Sequence, residues 1–250
     1  KATDPRRVYT GASVGGSWQW QPHNQYHVKA GARGLTWAER QPESMSDYRA
    51  KIDTVKQPYV SHETGQWCVF PDFNEIRKYT GVNKARNFEI FRDILEDNDM
   101  SGQAHDFMMA SGKLQAICYK HEIEKTLRTP DYAGFQLLAL NDYSGQGTAL
   151  VGVLNVFFEE KGYIDAEKFR RFCSPTVPLA RIPKFAYTGD ETFHADIEVA
   201  HFGAMPLRGA RTVYTVKDKY GKVYAHGVVG SGNIPIGNLI SLGSVDLKLD

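Results

Sequence analysis

Glu63 lies in the run Gln57-Pro58-Tyr59-Val60-Ser61-His62-Glu63-Thr64-Gly65-Gln66-Trp67, and it is the side chain best placed to do chemistry. The run enters through proline, continues as a strand and stops at Gly65. A carboxylate at a strand end, beside a glycine and ahead of a tryptophan, is set on a rigid support facing a cleft. In parallel α/β barrels that is where reacting groups stand. Such a carboxylate suits covalent attack on an anomeric carbon, a reaction that needs a second carboxylate about 5 to 5.5 Å away as acid/base. Spacing alone leaves open the plainer reading, a glutamate that forms a salt bridge at a strand end.

Around it, His62 and Gln66 are expected as hydrogen-bonding neighbours and Trp67 as a wall; His62 could equally be a core histidine bonded to a carbonyl. Asn141, Asp142 and Gln146 follow a later apolar strand and could reach sugar hydroxyls, although Asn, Asp and Gly also favour turns without any ligand. Trp18, Trp20, His23, Tyr26 and His27 share a long loop, with Trp37 further on. Trp18, Trp20 and His27 are taken as substrate contacts, since flat aromatic faces pack against sugar C–H surfaces. His23 and His27 are four apart, as zinc ligands on a helix would be, but Pro22 argues for a loop and no third ligand is suitably spaced. No metal or cofactor is expected. Cys68, Cys118 and Cys173 form no C-x-x-C or zinc pattern and are expected as buried free thiols.

These side chains need elements to position them. Ser46–Ile52 suggests a short helix. Asn87–Asn98 has helical spacing at Phe88, Phe91, Ile94 and Leu95. A longer helix runs from Ser101 to Arg128 with Phe107, Leu114, Ile117, Cys118, Ile123 and Leu127 as its apolar stripe, and it must stop before Pro130. Arg7–Ser13 and Gln25–Val28 read as short strands, and Gly134–Leu140 as a strand buried on both faces of a parallel sheet. Asp165 caps a further helix. After Pro183 the pattern changes: Phe193–Ala200, Arg211–Val216 and Val223–Val229 alternate with period two, the last pair split by a turn at Asp218-Lys219-Tyr220-Gly221. Residues 1–182 are thus expected to form an α/β unit and residues 183–250 a β-sandwich with fewer strands than the usual seven. Both ends of the chain look cut.

The order of these runs resembles glycoside hydrolase family 2, the β-galactosidases, β-glucuronidases and β-mannosidases. Asp4-Pro5-Arg6-Arg7-Val8-Tyr9-Thr10 resembles the family's entry to barrel strand five, Gln57 to Gly65 is similar to strand seven with its nucleophile, and Gly134 to Asp142 is similar to strand eight. Gly65-Gln66-Trp67-Cys68-Val69-Phe70-Pro71-Asp72-Phe73 and Gly145-Gln146-Gly147-Thr148-Ala149-Leu150-Val151-Gly152 resemble a polysaccharide-degrading branch. The resemblance implies a partial (β/α)8 TIM barrel, strands five to eight, followed by an incomplete immunoglobulin-like β-sandwich. It also implies retaining hydrolysis of O-glycosyl bonds with Glu63 as nucleophile, and a periplasmic or extracellular setting. Two departures stand out. His62 lies between Ser61 and Glu63, and the family's acid/base glutamate, in an Asn-Glu at the end of strand four, would fall upstream of Asp4. Asn74-Glu75 follows Glu63 and sits in the wrong part of such a fold. The chain by itself would then be inactive or nearly so, since protonating the leaving oxygen is worth roughly 10² to 10⁴ in rate. The alternative is a carbohydrate-binding or structural module without catalysis.

Composition sets the partner class. The 250 residues carry a formal net charge of +1, 42% hydrophobic and 24% charged residues. Lys and Arg are interleaved with acids, so no basic face for nucleic acid is expected. No run is apolar enough for a membrane span. An oligosaccharide or polysaccharide substrate is the expected partner.

Overall fold

The computed structural model describes residues 4–11, 23–147 and 149–249, with Gln146 described in its backbone only. Its first unit is an open three-stranded parallel sheet. Strand β1 (His27–Lys29) pairs with β2 (Tyr59–Thr64), which pairs with β3 (Tyr132–Leu137), so β2 is central. The β1–β2 connection carries the short helix α1 (Arg49–Ile52). The β2–β3 connection carries a 3-10 turn (Phe73–Lys78), α2 (Arg86–Asp97) and α3 (Ala104–Leu127). Parallel neighbours need such crossovers, because a hairpin returns antiparallel. The chain is therefore mixed α/β, rich in sheet, and no barrel closes among the described residues.

Three expectations are corrected. Residues 8–10 form no strand; the Tyr9 carbonyl accepts from the Gln25 N–H at 2.9 Å, and the N–H groups of Tyr9 and Gly11 donate to the side chains of Gln25 and Asn24 instead of to a backbone ladder. Strand β3 is not buried on both faces: it pairs with β2 alone, Ala133 and Gln136 are exposed, and Leu140 beyond it is 54% exposed. The apolar stripe foreseen on α3 is broken, since Leu114 and Ile117 face outward while Gln115, Glu122, Glu124 and Lys125 are buried. Those inward polar groups are tolerated because partners meet several of them. Gln115 Nε2 donates to the Trp67 carbonyl at 2.7 Å, and Glu124 pairs with Lys120 at 2.7 Å.

One core cluster joins Ala32, Tyr48, Ile52, Tyr59 and Tyr132. Its tyrosines do more than fill space, because each hydroxyl is tied to the turn after β1. Tyr59 donates to the Lys29 carbonyl at 2.9 Å and accepts from the Ala32 N–H at 3.1 Å. Tyr132 donates to the Ala32 carbonyl and Tyr48 to the Gly34 carbonyl. Buried hydroxyls need such partners, and here the partners fix residues 32–34. A second cluster, Tyr119, Ile123 and Phe172, packs α3 against β3 and α4 (Ala166–Arg170).

Five strands follow. β4 (Thr176–Arg181), β5 (Thr192–His201) and β8 (Gly237–Lys248) form one antiparallel sheet; β6 (Leu207–Lys217) and β7 (Val223–Ile234) form a hairpin turned at Asp218–Lys222. At that turn Asp218 Oδ1 accepts from the N–H groups of Tyr220 and Lys222, and Gly221 takes φ +86°. The sheet that holds β5 and β8 thus takes in β4, ahead of residue 183. The hairpin keeps apolar side chains such as Val213 and Val228 exposed. The two units meet where Leu127 packs on Val177, Leu179 and Ala200. There Asn238 Nδ2 donates to the carbonyls of Leu127 and Thr129 at 3.0 and 2.8 Å, satisfying acceptors that the end of α3 leaves open.

Candidate active site

Glu63 is the fifth residue of β2, and its backbone is left-handed, φ +59°. A non-glycine residue costs about 1 kcal/mol or more in that conformation, and Asp99, Asp131, Phe158 and Leu239 share it. Two residues on, Gly65 has φ +90°, and a Cβ there would lie 1.8 Å from Cε1 of Tyr119. Glycine is therefore required by conformation and by space, and it lets the chain turn closely over α3 before Gln66 and Trp67.

Arg33 organises the carboxylate. Its Nη1 donates to Glu63 Oε2 at 2.9 Å, to the Glu63 carbonyl at 3.0 Å and to the His62 carbonyl at 2.8 Å. Gln66 Nε2 donates to the same Oε2 at 3.1 Å, and His62 Nε2 lies 3.4 Å from Oε1. The Arg33 hydrogen bond holds the Glu63 carboxyl below its ordinary range; burial opposes it, and the lesser influences of His62 and of the Arg33 charge act with it. Glu63 is thus an ionised carboxylate, partly open to solvent. Arg33 can do this because the tyrosine hydroxyls pin the turn that carries it.

A cavity of about 170 Å³ is lined by Arg33, Gly34, Glu63, Gln66, Trp67 and Glu122. Sequence reasoning had brought Glu63, Gln66 and Trp67 to one place, with His62 at its edge, where His62 Nδ1 meets Gln136 Oε1 at 2.9 Å. It had missed Arg33 and Glu122. The signal for Arg33 was a cation between glycines, Gly31-Ala32-Arg33-Gly34, just after a strand. Glu122 gave none, being an acid among the many polar residues of a long helix.

The other expected contacts lie elsewhere. His27 is buried, its Nε2 3.3 Å from Gln57 Oε1, and does not line the cavity. Asn141 donates to the Asp142 carbonyl, and Asp142 is buried against Lys161 at 2.7 Å with its other oxygen accepting from the Gly152 N–H at 2.8 Å. Gln146 ends a one-turn 3-10 helix, and its side chain, like Trp18 and Trp20, lies outside the described residues. Trp37 packs edge-on against His121 and Phe185, with ring centroids 4.9 and 5.7 Å away. Glu75 is buried away from the cavity. Among the described residues no three His, Cys, Asp or Glu side chains converge as metal ligands, and no helix is long and apolar enough to cross a membrane. The thiols are corrected in part: Cys118 is buried, Cys173 is half-buried and Cys68 is exposed.

A family model described as a domain of unknown function (DUF8488) matches residues 191–250, the span of β5 to β8, which contributes no residue to the cavity. No curated protein matches the chain.

Proposed function

We propose that this chain carries the nucleophile half of a retaining glycoside hydrolase active site, with Glu63 as the nucleophile. The observation that carries this reading is an ionised Glu63, held by Arg33 and Gln66 at the C-terminal end of a central parallel strand and open to a cavity walled by Trp67. In this reading β1, β2 and β3 are strands six to eight of a (β/α)8 barrel, and their parallel order and helical crossovers are what consecutive barrel strands require. The two antiparallel sheets after Ser174 are then part of an immunoglobulin-like sandwich.

The chemistry runs in two displacements. A Glu63 carboxylate oxygen attacks the anomeric carbon while the bond to the leaving oxygen breaks, and the leaving oxygen takes a proton from a general acid. Water, deprotonated by that same group, then attacks the anomeric carbon and frees Glu63. Arg33 keeps Glu63 charged in the resting state, and Trp67 offers an apolar face to the sugar ring. Following the family resemblance, we assign the acid/base to an Asn-Glu ahead of the Asp4-Pro5 run. Oligosaccharides or polysaccharides are the substrate class.

The test is trapping by a fluorinated glycoside in the full-length protein, read by mass spectrometry of peptides. The label is expected on Glu63 and absent from Glu63→Gln. A label that persists in Glu63→Gln, or lands on another carboxylate, sinks the assignment; saccharide binding without any label or turnover favours the non-catalytic module.

A further inference from the structure

Glu122 is a buried acid in the last two turns of α3, 1% exposed, and the chemistry above makes no use of it. Its contacts are distinctive. Oε1 accepts from the Gly34 N–H at 2.7 Å and Oε2 accepts from the Trp67 indole N–H at 3.0 Å, with the Gly65 backbone N–H nearby favouring the charged carboxylate. Each donor is in or next to a cavity residue: Gly34 follows Arg33, Gly65 separates Glu63 from Gln66, and Trp67 is the wall.

We propose that Glu122, as a carboxylate, is the positioning residue of this site, clamping the Arg33–Gly34 turn, the Gly65 turn and Trp67 in the one arrangement that keeps Arg33 on Glu63. The role follows from the donor set. One hydrogen-bonded N–H on each oxygen matches an acceptor-only carboxylate, whereas a protonated Glu122 would turn one oxygen into a donor facing another donor. The same crowding makes Glu122 unsuited to serve as the general acid. Burial nonetheless raises its proton affinity, against the three N–H groups and the charge of Arg33. The other ionisable groups that feel its charge are Tyr48 after β1, Cys118 and Tyr119 on its own helix, and Tyr132 on β3.

The role of Glu122 in turnover rests on the reading of Glu63 as nucleophile, but the test needs no turnover. In ¹³C-labelled chain, the Glu63 carboxyl is expected to titrate below the ordinary glutamate midpoint of 4.5, because Arg33 holds it charged. In folded Glu122→Gln, whose amide must set an N–H₂ against at least one of these donors, that midpoint is expected to move up toward 4.5. The Trp67 indole N–H resonance, identified by its loss in Trp67→Phe, is expected to move as well. A substitution that only weakened the core would leave the Glu63 midpoint in place. An unchanged Glu63 midpoint and an unchanged indole resonance in the folded variant overturn the proposal. Should Glu122→Gln not fold, the unmodified chain decides: the Trp67 indole must report a titration above pH 4.5 that is separate from that of Glu63, and a flat response there overturns it. If these shifts hold while glycosyl labelling fails, the nucleophile assignment falls and the clamp stands.

Discussion

Replacing Glu75 by glutamine is expected to stabilise the chain at alkaline pH while changing it little at low pH. Glu75 sits on the 3-10 turn after β2, 3% exposed, and its Oε2 has no hydrogen-bond partner. Burial, reinforced by the negative charge of Asp142, pushes its carboxyl from 4.5 up to about 7, and the charge of Lys161 offsets only part of that. The native state therefore holds the proton more tightly than the unfolded chain. The stability this contributes is fully present below pH 4.5 and is lost as the pH rises through about 7. A tenfold change in proton affinity is worth about 1.4 kcal/mol, so ionising Glu75 in place costs about 3 kcal/mol. Glutamine keeps the shape and cannot ionise. At about pH 8 the variant should gain most of that 3 kcal/mol, roughly 6 to 12 °C in Tm for a chain of this size, and near pH 4.5 the gain should largely vanish. Thermal unfolding followed by circular dichroism at the two pH values measures the difference. A gain of the same size at both, or none at either, would refute the argument that the buried charge is the cause.

Gly65→Ala must accommodate both the 1.8 Å approach to Tyr119 and a φ of +90°; a loss of about 3 kcal/mol or more is expected, read as a lowered urea midpoint. Lys161→Met leaves the buried Asp142 without its cation, for an expected loss of about 3 to 5 kcal/mol, and adding Asp142→Asn should recover much of it. A thiol reagent applied to the native chain should modify exposed Cys68 first and spare Cys118, which burial pushes to about 11. Mass spectrometry of the labelled peptides gives the order, and modification of Cys118 ahead of Cys68 would refute it.

Much of the frame was legible because local patterns and tertiary placement agree. Pro58 and Gly65 bracket β2, Pro130 stops the chain just past α3, and the Asp218–Gly221 turn separates two alternating runs that pair as β6 and β7. Glu63 was found for the same reason, as the last acid of a strand with a sharp turn behind it. The site as a whole was not legible. Arg33 reaches Glu63 across 30 residues and Glu122 reaches Gly34 across 88, and such meetings depend on how α3 lies over the sheet. Periodicity also misjudged α3 itself. It reads apolar residues as inward, whereas this helix turns Gln115 inward to donate to the Trp67 carbonyl and Glu122 inward to accept from the Gly34 and Trp67 N–H groups, and leaves Leu114 and Ile117 outside. Asp142 was read as a hydroxyl contact because Asn-Asp after a strand suits a loop; Lys161, 19 positions later, draws it into the interior.

The bonds from Asn238 to the end of α3 bear on the order in which the chain is made. The helix that holds Glu122 leaves the ribosome well before the residue that finishes its last turn, because Asn238 follows Leu127 by 111 positions. At synthesis rates of 5 to 20 residues per second that is a delay of roughly 5 to 20 s. During it the Leu127 and Thr129 carbonyls lack the Asn238 amide, while β4 and β5, on which Leu127 lies, are made partway through it. The closing of the helix end is therefore a late event in the nascent chain, completed when β8 brings Asn238 to it.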